Sequence, residues 1–129
     1  MKMEIKKITT RTQTQWLEDG IVYSQSNPGA EHTLADAIEN IQAGSLLSEG
    51  KKRPTLIDLR NVKSINKEAR TYYSGEEAAK IDLAVAILID NAISKIIGNF
   101  FLGLNKTLFP TRLFTKEKEA IEWLKTFIE

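Results

Sequence analysis

Cysteine is missing from this chain, and histidine occurs once, as His32. The first absence excludes a disulfide scaffold, thiol catalysis and cysteine-built zinc sites. The second leaves an imidazole relay or a metal site with little to use. No tract is repeated or low in complexity, so no solenoid or flexible linker is written into the sequence. An excess of one charge is missing too: 18 Lys and Arg stand against 17 Asp and Glu, for a formal net charge of +1. A nucleic-acid binder normally carries more positive charge, so no nucleic-acid partner is expected. Long hydrophobic runs are absent as well. The longest, "LAVAILI" at 83–89, is far too short to span a bilayer. The opening "MKMEIKKITTRTQTQ" is polar throughout and unlike a signal peptide, which makes the cytoplasm the expected location.

What is present fits one domain over residues 1–129. A globule of that length removes roughly two-thirds of its unfolded-chain surface from water and needs no disulfide or metal to fold. The run "TRTQTQWL" at 10–17 is polar and β-branched, and "IVYSQS" resumes after Asp19-Gly20. Both residues of that pair tolerate positive φ, which is the signature of a tight hairpin. Pro28 and Gly29 then break the pattern. Leu34, Ala37, Ile38 and Ile41 recur at helical spacing, and "GSLLSEGKKRP" reads as a loop. "TLIDL" is a strand. "NKEARTYYSGEEAAK" is a helix, with Asn66 at its cap and Glu68 in its first turn, where the dipole favours negative charge. "DLAVAILI" is apolar on both faces and therefore belongs inside a sheet covered by helices. Asp90 or Asn91 caps the helix "AISKIIGNFFLGL", and "PTRLFT" is a short strand. Thr115 caps a last helix whose apolar face is Ala120, Ile121, Leu124, Phe127 and Ile128, with Trp123 at its margin. The order β-β-α-β-α-β-α-β-α predicts an α/β fold, a mixed sheet with an N-terminal hairpin, covered by helices.

That order, the run "LIDLRNVKSIN" and the closing "RLFTKEKEAIEWL" resemble the STAS domain, typified by the sporulation anti-sigma-factor antagonist. The resemblance implies a STAS-like fold and a non-enzymatic protein-interaction or regulatory role. Signalling members place a phosphorylatable Ser or Thr at the start of the helix after the "LIDL" strand. At the matching positions this chain carries Asn66 and Lys67, and Ser64 lies three positions too early. A lysine supplies a fixed charge opposite in sign to phosphate. The resemblance is thus to uncharacterised bacterial members without the phosphoacceptor serine.

Two candidate surfaces stand out. The strand-to-helix corner offers Asp58, Arg60, Asn61, Asn66, Lys67 and Arg70. One reading makes it a polar patch for a protein or an anion, held by Lys67 and the free N–H groups of a helix start. The other makes it a loop whose Asn and Asp residues satisfy turns and caps. The helix "KIIGNFFLGLNK" carries Ile96, Ile97, Phe100, Phe101 and Leu104 over more of its circumference than one stripe requires, with Ile97, Phe100, Phe101 and Leu104 as the candidate contact residues. These form either a contact surface (for a second copy, a partner or a small apolar ligand or lipid) or a core face covered by neighbouring loops. Tyr72 and Tyr73 read as stacked partners, partly buried anchors or, more simply, core-edge residues, and His32 beside Glu31 and Asp36 as either a general base or, more simply, part of a helix start. Glu76 and Glu77 are adjacent, about 100° apart on a helix, and do not converge on one bond as a glycosidase pair does. No glycine-rich phosphate loop follows a strand. The expectation is a binding protein without a cofactor or catalytic residues.

Overall fold

The computed structural model describes residues 6–103 and 108–128. Its strands are β1 (Lys7–Thr9), β2 (Gln13–Glu18), β3 (Ile21–Ser26), β4 (Glu31–His32), β5 (Arg53–Asp58), β6 (Ser64–Ile65), β7 (Asp82–Leu88) and β8 (Thr111–Phe114). Its helices are α1 (Leu34–Ser48), α2 (Lys67–Tyr73), α3 (Glu76–Ala79), α4 (Ala92–Gly103) and α5 (Glu117–Lys125). Six strands form one sheet in the order β1-β2-β3-β5-β7-β8. The first three are antiparallel, and β3-β5, β5-β7 and β7-β8 run parallel. The expected mixed α/β architecture with its N-terminal hairpin is the one found.

The hairpin between β2 and β3 turns at Asp19 (φ 52°) and Gly20 (φ 82°), the two positions that need left-handed backbone. Pro54, which has no N–H to donate, sits where the β5–β7 register slips next to Arg53, so the irregularity absorbs the missing bond. β7 alternates its side chains between two cores. Val85, Ile87 and, one residue past the strand's end, Ile89 join Leu59, Ile65, Ile97, Phe101 and Phe109 under α1 to α4. Ala84, Ala86 and Leu88 join Ile21, Leu56, Phe114, Ala120 and Leu124 under α5. Among the described residues one helix covers the second face while four cover the first, so none of these helices covers that side of β1, β2 and part of β3.

Several boundaries differ from the sequence expectation. β1 lies in the polar opening segment and pairs with β2 through Lys7↔Trp16 and Thr9↔Thr14. β4 and β6 form a separate two-stranded parallel ladder. α1 runs through "GSLLS" to Ser48, whose hydroxyl bonds the Gly44 carbonyl at 2.7 Å. The expected helix over 66–80 is two pieces, because the Ser74 hydroxyl bonds back to Arg70 and Thr71 carbonyls and Gly75 restarts the chain. α5 begins with Lys116 at its cap and no side-chain bond there, one residue after Thr115.

Candidate functional site

The corner after β5 is built from local hydrogen bonds. Asp58, buried at the end of β5, accepts from the Arg60 backbone N–H (3.0 Å) and from its guanidinium through Nε (2.9 Å) and Nη2 (2.8 Å). The same guanidinium stands 3.6 Å from Glu117 on α5. Asn61 adopts a left-handed φ of 71°, which its short polar side chain tolerates. Asn66 caps α2, its Oδ1 accepting from the Ala69 N–H at 2.9 Å. Arg70 donates to the Ile65 carbonyl at 2.7 Å. Lys67 is exposed at the first position of α2. The structure therefore divides the six residues: Asp58 and Arg60 lean toward α5, Asn61 lies in the exposed turn between, and Asn66, Lys67 and Arg70 cap or belong to α2 on the opposite face.

α4 is held by a reciprocal cap. The Ser94 N–H donates to Asn91 Oδ1 (2.9 Å), and the Ser94 hydroxyl accepts from the N–H groups of Asp90 and Asn91. Ile97 and Phe101 point into the core. Leu104 and the side chain of Phe100 lie outside the described residues. Among the described side chains of this helix, the exposed large apolar residues are Ile93, 50% exposed, and Ile96, 69% exposed, one turn apart. Gly98 lets the helix seat tightly: a Cβ there would come within 2.9 Å of Leu113 and 3.2 Å of Ile89.

A buried polar network lies between α1 and the β2–β3 half of the sheet. Asn40 Nδ2 donates to Thr12 Oγ1 (2.9 Å) and to Tyr73 Oη (2.8 Å). Tyr73 therefore directs its own proton to His32 Nδ1, 2.7 Å away. That fixes the His32 proton on Nε2, which faces Ser26 Oγ at 3.1 Å. Burial lowers His32 to about 4 and raises the Tyr73 phenol. The helix-start role falls instead to Thr33 and Asp36, which form a capping box. Arg11 grips the Asp36 carboxylate through Nε and Nη2 and, with Thr33, holds it well below the usual carboxylate range. Gln15 Nε2 donates to the Asn40 carbonyl at 2.8 Å. A cavity of about 60 Å³ opens among Gln13, Gln15, His32, Asn40, Tyr73 and Phe101. Asp82 also lines it; bonded by Thr55 at 2.8 Å, it is pushed up to about 7 by burial.

Sequence reasoning missed this network. Its signal is the run Thr10 to Gln15: polar residues at every position of a covered strand oblige some of them to face inward. Among the described residues no group of three His, Cys, Asp or Glu side chains is placed to hold a metal. No described helix is long and apolar enough to cross a membrane.

Two solved structures share the fold. An anti-sigma factor antagonist from Mycobacterium paratuberculosis superposes with a TM-score of 0.63 and 17% identity, over 95% of each chain. An uncharacterized protein of the DUF3478 family with a SpoIIAA-like fold, from Shewanella loihica PV-4, gives 0.54 and 18%, over 94% of this chain and 92% of its own. The chain thus has the SpoIIAA-like, or STAS, fold. No curated protein matches the sequence. The family described as a domain of unknown function, DUF7793, matches residues 15–128. With so much of its length matched, the chain belongs to the DUF7793 family.

Proposed function

We propose that this protein is a non-enzymatic interaction or regulatory module that works by docking on another protein or a second copy, without a phosphoswitch. The observation that carries this reading is the outer face of α4. Two isoleucines, Ile93 and Ile96, stand in water one turn apart on a helix whose Gly98 packs closely against Leu113 and Ile89. Exposed apolar side chains grouped on a rigid element are a usual mark of a contact surface. The fold of an anti-sigma factor antagonist supports the regulatory reading by analogy. Lys67, exposed where signalling STAS domains carry their phosphoacceptor, supports a constitutive mode of binding.

Binding of a small apolar molecule or lipid is the second reading, favoured by the cavity beside Phe101 and Phe109. Its volume of about 60 Å³ suits a few waters. Pockets for small ligands run to roughly 300–1,000 Å³, which ranks this reading below the first.

The test is affinity capture from the source cells with the wild-type chain and with Ile96→Asp, followed by mass spectrometry. The interaction reading expects a stoichiometric partner on the wild type, lost from the variant while its melting temperature holds. Identical captures from both proteins would contradict the assignment to α4.

A further inference from the structure

The face of the sheet left uncovered by α5 has a chemistry that the α4 surface lacks. Pairing aligns Lys7, Trp16, Tyr23 and Leu56 in one row across β1, β2, β3 and β5. Trp16 and Tyr23 stack with centroids 5.2 Å apart and planes 1° from parallel. Lys7 Nζ lies 5.3 Å from the Trp16 ring. Between this stack and α5 runs a groove of about 310 Å³, lined by Trp16, Tyr23 and Leu56 together with Glu18, Asp58 and Glu117.

Carboxylates dominate the border. Glu18 accepts from Trp16 Nε1 at 3.2 Å, and Glu117 opens the first turn of α5. Asp58 holds Arg60 in a bidentate pair, and the same guanidinium stands 3.6 Å from Glu117, so Arg60 and Lys7 are cations set against the three carboxylates of the border. Burial raises the Tyr23 phenol, and Glu18, Glu117 and Asp19 raise it further, with no cation acting against them. The groove is therefore aromatic on one wall, and its carboxylates outnumber the cations Arg60 and Lys7 beside them.

We propose that this groove docks an arginine side chain from a basic segment of a protein partner. The inference rests on the interaction-module reading and names a second surface for it. A guanidinium is planar, so it can stack on an aromatic face while its N–H groups point in-plane at carboxylates. A lysine ammonium can do only one of these well. The protein already uses the same chemistry within itself: the Arg112 guanidinium lies 5.1 Å from the Phe114 ring and 5.5 Å from the Trp123 ring.

The test is a titration of the full chain with a blocked tetra-arginine peptide, followed by ¹H–¹⁵N correlation spectra. The indole N–H of Trp16 bonds Glu18 and so reports directly on the groove. Saturable shifts are expected at that indole and at the amides of Gln25, Glu117 and Ile121. The double variant Glu18→Gln/Glu117→Gln should bind about fivefold more weakly, with the rest of its spectrum unchanged. Equal affinity for tetra-lysine, shifts scattered over carboxylates elsewhere, or an unchanged affinity in the double variant would overturn the inference. A partner captured through Ile96 while the groove stays silent would overturn it too, and would leave the interaction module standing.

Discussion

Asp82 and His32 are two buried titratable groups whose effects on stability run in opposite directions. His32 is lowered to about 4, so the fold keeps it neutral while the unfolded chain takes up a proton near pH 6.5. Its contribution is complete above pH 6.5 and is lost as pH falls toward 4. Asp82 is raised to about 7, so the fold keeps it protonated where the unfolded chain has released its proton. Its contribution is complete below about pH 4 and is lost as pH rises to 7. Between pH 4 and 6.5 the two slopes oppose each other. Asp82→Asn removes one and preserves the bond from Thr55. The variant should melt higher than wild type at pH 8, melt like it near pH 4, and lose stability on acidification below pH 6.5. Thermal melts across that range that stay parallel for the two proteins would contradict the account. Neither effect was legible in the sequence, where His32 reads as part of a helix start. Only the folding of β3, α1 and α2 around it brings Ser26, Asn40 and Tyr73 into reach.

Elements with a sustained apolar period were legible: the two-sided run of β7, the stripe of α5, and the Asp19-Gly20 hairpin. β1, β4 and β6 were not, because strands of two or three residues carry no period and exist through their partners. The break between α2 and α3 was hidden for another reason. Ser74 reads as a tolerable helix residue until its hydroxyl is seen to take backbone carbonyls of the preceding turn. α4 carries the most specific prediction at this scale. Gly98→Ala gains about 1 kcal/mol of helix propensity but forces a Cβ onto Leu113 and Ile89. Overpacking of that kind costs about 1–3 kcal/mol, so chemical denaturation should show a net loss of about 1 kcal/mol. A gain in stability would mean that α4 is looser on the sheet than its contacts indicate. β7 gives the complementary test: Val85→Asp puts a charge among Leu59, Ile87 and Phe109 and should lower stability by several kcal/mol or abolish folding. A near-native melting temperature would refute the central position of β7.

At the scale of the whole molecule, the described residues place four helices on one face of the sheet and one on the other. This imbalance leaves two surfaces, the α4 ridge and the groove beside α5. The ridge was partly legible. The excess of apolar residues on "KIIGNFFLGL" pointed to the right helix, but pattern alone could not decide that Ile97 and Phe101 turn inward and Ile93 and Ile96 outward. The strand-to-helix corner was legible as a feature, and the structure shows what occupies its groups: Asp58 holds Arg60 and Asn66 caps α2. The groove was not legible at all, because Trp16 and Glu117 are a hundred residues apart and meet only through sheet pairing and the return of α5. The central claim, that α4 presents a docking surface, is tested most directly by a photo-reactive amino acid placed at position 96 in cells, with position 52 as control. The account predicts a discrete cross-linked adduct from position 96 and none from 52. Only uncross-linked chain from both positions would contradict it.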